Sequence, residues 1–430
     1  MMTSHFESGG KRISLLGYGA MRMPTVDGGH ANAWSKNGYS DTGIDQELLD
    51  RQIKYLLEHG VNYFDTSPAY CRGNSEACLG RALAQSGFPR SSYLIATKLS
   101  NFSPVQFPLA ECKKMFENSL KFLQTDYIDN YLLHSIGNGG FETFSKRYLE
   151  NGALDWCAEL RREGRIRNLG FSFHGDPKAF EWCIQRHGTY KWDFCQIQMN
   201  YVDWTHATAI NPRNLDAKYL YESLTSLKIP VVIMEPLLGG SLARYNAAIA
   251  GNLKPLDPSS SLARWAFRFN GSFPNVMTVL SGMTRMSDIE ENVETFSPLR
   301  PLSQSEFAAL ERAADDYIAS GPVPCTACNY CMPCPYGLDI PALFRFRNET
   351  FASGKEKTGK EILAEYEKTF PEPLRRADRC TGCGKCASHC PQKIKIPQEL
   401  AALDASIAGI RRDAFKQEID RRNNEASKWF

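Results

Sequence analysis

The chain has 430 residues, 43% of them hydrophobic, with 50 basic against 48 acidic side chains and a formal net charge of +2. That is enough apolar chain for one large core and a small second one, and the balanced charge provides no field for steering nucleic acid or an anionic membrane. No apolar run approaches the roughly 20 residues that span a bilayer, and the first residues lack an apolar leader, so neither nucleic acid nor membrane is expected as a partner and the cytoplasm is the expected location.

Between residues 12 and 295, short runs rich in β-branched and aromatic residues alternate with longer helical patterns, the rhythm of a parallel sheet. The runs are ISLLGYGAM, VNYFDTS, YLIATKLS, YIDNYLLHS, IRNLGFSFH, FCQIQMNY, VVIMEPLL and VMTVLSG. Eight of them predict an α/β fold closed as a (β/α)8 TIM barrel. In the first intervening segment Leu48, Leu49, Ile53, Leu56 and Leu57 share one helical face, with Asp45 placed to cap the start and Gly60 the end. A second helix carries Leu109, Cys112, Met115, Phe116 and Leu120 on one face. Cys112 and Cys157 are read as core residues, because a free cysteine behaves as a small hydrophobe.

The stretch from Thr25 to Gly43, rich in Gly, Asn and Ser, reads as a surface loop near the barrel mouth. Residues 202–215, with Trp204, His206 and Asn211, read as a second loop facing the substrate. Past the barrel, assigned to 1–300, residues 301–324 read as a linking helix ended by GPVP, then comes a cysteine-rich domain at 325–400 and a charged helical tail at 401–430.

Chemistry in such a barrel sits at the carboxyl ends of the strands. Asp65 ends the second run, Lys98 the third and His134 the fourth, and Tyr70 follows Asp65 in DTSPAY. Together with GFSFH and EPLLGG, these motifs resemble the aldo-keto reductases over residues 12 to 295. The resemblance implies an NAD(P)-dependent oxidoreductase that interconverts a carbonyl (aldehyde, ketone or sugar) and an alcohol, with Asp65, Tyr70, Lys98 and His134 as its catalytic tetrad. The physical sense is clear: hydride delivered to a carbonyl carbon builds charge on oxygen, which needs a proton and aimed donors. Tyr70 is then the general acid, Lys98 the cation that eases its ionisation, Asp65 the holder of Lys98, and His134 the group that orients the carbonyl or shares the proton.

The same resemblance implies NADP or NAD as cofactor. It places Ser172 and Gln196 at the nicotinamide carboxamide; where many members stack an aromatic ring on the nicotinamide this chain has Met234, read either as a thioether packed on the ring face or as a strand-end core methionine. It puts Ser281, Gly282, Arg285, Glu291 and Asn292 along the adenine dinucleotide.

Of 14 cysteines, eight lie between Cys325 and Cys390; in a large chain without an export signal, such clustering reads as metal ligation before disulfides. Residues 380–391, CTGCGKCASHCP, match the bacterial ferredoxin spacing for a [4Fe–4S] cluster, and CTACNYCMPCP at 325–335 is its near-echo. The pair resembles a small α-rich ferredoxin-like domain with two clusters. That resemblance implies one cluster on Cys325, Cys328, Cys331 and Cys390 and the other on Cys380, Cys383, Cys386 and Cys334, since the fourth cysteine of each module crosses over. Two four-thiolate zinc sites are the alternative. The clusters could act as staples or as electron relays, with a redox protein as partner in the second case. His389 reads as a spacer. A reading from another class is an electron carrier whose barrel only binds nicotinamide as a sensor or docking surface.

Overall fold

The computed structural model describes residues 1–8, 10–30 and 43–426. Among the described residues there are ten strands: β1 (Phe6–Ser8), β2 (Lys11–Ile13), β3 (Leu16–Gly19), β4 (Tyr63–Asp65), β5 (Leu94–Leu99), β6 (Ile128–Ile136), β7 (Ile166–Phe173), β8 (Phe194–Gln198), β9 (Val231–Met234) and β10 (Val276–Ser281). The last eight close into a barrel in the order β10-β3-β4-β5-β6-β7-β8-β9, with every neighbouring pair parallel. Each predicted run supplies one of these strands. The first run is divided, however: Ile13 belongs to an antiparallel hairpin, β1 with β2, that precedes the barrel. Ile13 packs into the barrel interior with Tyr63, Leu94, Ala96, Leu132 and Phe194, and so plugs its lower end.

In-register parallel pairing aligns the strand ends. Gly19 pairs with Asp65, Asp65 with Ala96, and Lys98 with Leu132, so Asp65, Lys98 and His134 reach the same rim. The helix predicted first spans Gln46–Glu58; the Asp45 carboxylate accepts from Leu48 N at 2.9 Å, and Gly60 takes φ +83°. Cys112 and Cys157 are buried in the barrel core, as expected. Of the expected loop at 25–43, residues 31–42 lie outside the described residues.

Residues 202–215 depart from expectation. Asp203–Ile210 is a helix; Trp204 packs against Phe273 with ring centroids 4.8 Å apart, and His206 Nε2 meets the Asp315 carboxylate at 3.0 Å. Of the three residues named from this stretch, Asn211 alone reaches the central cavity. The helix buries Asp203, Ala207 and Ile210 on one face and exposes Thr205, Thr208 and Ala209; with an aspartate on the inner face and an alanine on the outer one, the sequence lacks the apolar period that marks a surface helix.

The stretch read as a linker holds the helix Gln304–Ala319, capped by Ser303 and Glu306, whose Ala309, Leu310, Ala313 and Tyr317 join the barrel core. A separate core follows: Leu338, Ile340, Leu343 and Phe344 pack with Ile362, Tyr366, Ile394, Leu400, Leu403 and Ile407. The last three lie on one helix, Ile396–Ala426, so the residues read as the start of the tail still belong to this core.

The second core is docked over the open end of the barrel. Arg22 donates to Thr326 O at 2.5 Å and to Gly239 O at 3.2 Å, Asn211 to Pro391 O at 3.0 Å, and Asn246 to Ala352 O at 3.0 Å. Gly239 has φ +65°, and a Cβ there would fall 2.3 Å from Thr326 Cα. Only glycine lets these two backbones approach so closely.

Candidate active site

A cavity of about 690 Å³ opens at the carboxyl ends of the strands, and Asp65, Tyr70, Lys98 and His134 all line it. Lys98 Nζ donates to Asp65 Oδ1 at 2.6 Å and to Thr66 O at 2.8 Å, with both charged groups almost wholly buried. Burial pulls Lys98 down and Asp65 up from their ordinary values, and each is partly restored by the other's charge. The ammonium lies 4.7 Å from the centroid of the Tyr70 ring, which meets the His134 ring edge-on at 5.8 Å. Tyr70 opens a turn whose next two residues, Cys71 and Arg72, have φ +47° and +55°. The Cys71 thiol donates towards Ala20 O and Met21 O, each at 3.6 Å, and pins this strained backbone.

One expectation changes here. Burial, followed by the negative charge of Asp65, holds the Tyr70 phenol well above its ordinary range, so in this geometry the lysine over the ring face does not bring it down. His134 is pushed well below its ordinary value by burial and then by Lys98, and is neutral. Its Nδ1 is 2.6 Å from Ser100 Oγ, which is itself 2.8 Å from Ser67 Oγ.

Among the expected cofactor residues, Ser172, Gln196, Met234, Ser281 and Gly282 line the cavity. Ser172 Oγ accepts from Ser135 N at 2.7 Å, which leaves its own hydrogen to donate, and the buried Gln196 Oε1 has no partner among the described residues. An orphaned acceptor beside a free hydroxyl hydrogen fits a carboxamide, which offers both a donor and an acceptor. The other three residues are off the cavity wall. Asn292 is buried and donates to Ser281 Oγ at 3.1 Å, so it braces the loop from behind. Arg285 is exposed and clamped by Asp288 at 3.0 Å. Glu291 contributes its carbonyl to Thr295 at 2.8 Å.

The cysteines fall into two adjoining groups. Burial raises the thiols of Cys325, to about 12, and of Cys328 and Cys331; Cys390 adds repulsion to all three, Cys328 to Cys325 and Cys331, Cys325 to Cys331, and Glu235 to Cys328. Cys386 is raised by burial and then by Cys334, Cys380 and Cys383. Cys331 also senses Cys386, so the groups are neighbours. Cys325, Cys328, Cys331 and Cys390 surround a small pocket floored by Ile340, Phe344, Ile394 and Ile396. Four thiols around an apolar pocket fit an iron–sulfur cluster. Cys328 and Cys390 also line the large cavity, beside Tyr330, His389, Gln392 and Lys393. His389, expected as a spacer, is therefore on the cavity wall.

Several residues of the site carry no strand-end signature. Arg147 is buried and donates to His134 O at 2.7 Å and to Asn101 O at 3.0 Å. Asp203 accepts from Gln198 at 2.8 Å and Asn200 at 2.6 Å, and Asn200 donates in turn to Glu235 O at 3.1 Å. This network ties the loop after β8 to the loop after β9. Burial pushes the Asp203 carboxyl up to about 7. Its contribution to stability is therefore fully present below the unfolded value near 3.8 and is lost as pH rises through about 7. Asp203→Asn is expected to be more stable than wild type at pH 8, by on the order of 1–3 kcal/mol, with the difference shrinking towards pH 4. Thermal unfolding followed by circular dichroism across that range checks this, and an unchanged slope would refute it.

Comparison with known proteins gives matches to both parts of the chain. The model of the aldo/keto reductase family matches residues 16–255, and that of the 4Fe-4S dicluster domain matches 324–394. An aldo-keto reductase of Mycobacterium sp. (strain KMS) is 33% identical over 308 residues, 71% of this chain and 98% of the relative. An L-galactose dehydrogenase of Arabidopsis thaliana is 24% identical over 319 residues, 70% and 90% of the two chains. Among solved structures, an aldo-keto reductase from Bacillus halodurans in its holo form has a TM-score of 0.56 at 21% identity, covering 73% of this chain and 96% of that one. One from Klebsiella pneumoniae in complex with NADPH has a TM-score of 0.52 at 20% identity, covering 73% and 95%.

Proposed function

The chain belongs to the aldo/keto reductase family, as an oxidoreductase acting on CH-OH and C=O groups with a C-terminal 4Fe-4S domain, and on that premise we propose that it reduces a small carbonyl compound with NADP or NAD. The observation that carries this reading is the convergence of the buried Lys98–Asp65 pair, Tyr70 and His134 on one cavity that also holds the orphaned Gln196 acceptor. When bound, the nicotinamide supplies the hydride. Ser172 and Gln196 hold its carboxamide, Met234 packs on the ring, and Ser281 and Gly282 line the dinucleotide path, braced by Asn292 and flanked by Glu291. A 2′-phosphate at this loop would take Arg285 from Asp288.

Tyr70 gives its proton to the carbonyl oxygen. Its phenol, held protonated by burial, suits the reductive direction. With Ser100 donating to Nδ1, neutral His134 keeps its proton on Nε2 and hydrogen-bonds the same oxygen through it. Lys98, 4.7 Å from the ring centroid, is the nearby cation towards which charge on the phenol oxygen can relax during transfer, and Asp65 keeps the ammonium in place.

In this reading Cys325, Cys328, Cys331 and Cys390 hold one [4Fe–4S] cluster, and Cys380, Cys383, Cys386 and Cys334 a second. The position of Cys328 and Cys390 on the cavity wall favours a second reading, in which the clusters exchange electrons with the site and a redox protein docks near the exposed Cys383.

Nicotinamide cofactor deuterated at C4 separates the two. On incubation with an aldehyde panel, carbinol carbon bearing the deuterium supports direct hydride transfer. Reduced clusters without any labelled alcohol would refute it in favour of the relay.

A further inference from the structure

Charge on the cavity wall is unbalanced. Five basic side chains, Arg22, Lys98, Arg147, Arg213 and Lys393, face two acidic ones, Asp65 and Glu235. Asp65 is matched to Lys98, Arg22 is held by Gly239 O and Thr326 O, and Glu235 accepts from Gly239 N at 2.6 Å. Arg147, Arg213 and Lys393 remain, and among the described residues no carboxylate pairs with them. Arg147 is buried with its donors spent on neutral oxygens, the carbonyls of Asn101, His134 and Ser135 and the Tyr148 hydroxyl, so its charge stands uncompensated next to His134.

Arg213 and Lys393 come from loops brought side by side. Asn211 donates to Pro391 O at 3.0 Å, which fixes the turn after β8 against the turn after Cys390. The backbone of Arg213 lies against Gly175, beyond β7, where a Cβ would be 3.0 Å from Arg213 O. Lys393 has φ +54°, a left-handed conformation unusual for a side chain of its kind, and the bond from Lys393 N to Cys390 O at 3.2 Å closes the turn that presents it.

A second, independent observation lies between them. Gln392 is 93% buried on the boundary between the large cavity and the small cysteine-lined pocket, and its Oε1 has no partner among the described residues. An iron–sulfur cluster offers hydrogen-bond acceptors only, so an adjacent cluster leaves this oxygen still in need of a donor. A hydroxyl group supplies one.

We propose that the iron–sulfur module forms part of the substrate site, with Gln392 and Lys393 acting beside Arg213 of the barrel to bind a carbonyl compound that carries a carboxylate and hydroxyl groups, such as a sugar acid. The inference rests on the reductase reading for where the reacting carbonyl lies. It also gives the second domain a task that neither a staple nor a relay explains.

The test compares D-glucuronate with its neutral amide, D-glucuronamide, which differ in charge and share their hydroxyls. Dissociation constants are measured by calorimetry on the complete holoprotein, purified without oxygen and saturated with NADP or NAD. Glucuronate is expected to bind about tenfold more tightly than the amide, and Arg213→Met combined with Lys393→Met should bring the two within about twofold. Gln392→Leu should weaken both ligands by the same factor. Iron content and the visible spectrum show that each variant keeps its clusters.

Equal binding of the two ligands, no binding of either, or a preference that survives the double substitution would overturn the proposal. So would a double variant that loses affinity for the dinucleotide alone, because the basic rim would then serve the cofactor phosphates. Binding constants do not depend on turnover, so a failure of the hydride reading leaves this result intact.

Discussion

Tyr70→Phe is expected to lower kcat for carbonyl reduction by about 10²- to 10⁴-fold, the usual weight of a general acid, while nicotinamide affinity stays at the wild-type level. The change removes one oxygen and keeps the ring in its place over Lys98 and against His134, so the fold and the pocket survive it. Lys98→Met is a poorer test, because it leaves the Asp65 carboxylate buried without its cation, a loss of about 3–5 kcal/mol that mixes stability with catalysis. The pH profile is a second readout. Tyr70 is raised well above its ordinary value and His134 lowered well below its own, so neither changes charge near neutrality. Reductive kcat/KM should therefore be flat between about pH 7 and 9. A Tyr70→Phe protein with wild-type turnover would remove the basis for the tetrad.

Serine at Cys390 and serine at Cys334 are expected to damage different clusters. Cys390 shares its pocket with Cys325, Cys328 and Cys331, whereas Cys334 is felt by Cys386 along with Cys380 and Cys383. Either variant should fall from about eight irons per chain to about four. The distinction lies in what else changes. Cys390 is on the wall of the catalytic cavity and three residues from Lys393, so Cys390→Ser should also weaken substrate binding severalfold. Cys334 lines neither that cavity nor the small pocket beneath it, so Cys334→Ser should leave substrate binding near wild type. Iron analysis with low-temperature spin resonance of the reduced proteins reads the first effect, and substrate affinity the second. Identical spectra from the two variants would refute the crossed arrangement.

The strands were legible because each is a short apolar run bounded by polar turns, a signal contained within about ten residues. Asp65, Lys98 and His134 were legible for the same reason, as polar residues that end such runs. The helix at Asp203–Ile210 was not: with Asp203 on its buried face and Ala209 exposed, it lacks the single apolar stripe that marks a surface helix. Trp204 and His206 were therefore assigned to the substrate when they serve packing and an ion pair. Asn292 and Arg285 were matched by motif position, yet one turns inward to Ser281 and the other to Asp288.

The sequence by itself determined the barrel, the strand-end residues and the two cysteine modules, since all are written in periodicity and spacing over short distances. Only the tertiary structure decided that the second module closes the mouth of the first, with Cys328, Cys390, Gln392 and Lys393 facing Tyr70 and Lys98 across one cavity. That arrangement rests on contacts such as Arg22 with Thr326 and Asn211 with Pro391, side-chain to backbone bonds between segments roughly 180 to 300 residues apart. A bond to a backbone carbonyl leaves no mark on the identity of the residue that accepts it, so neither partner could be read from the chain.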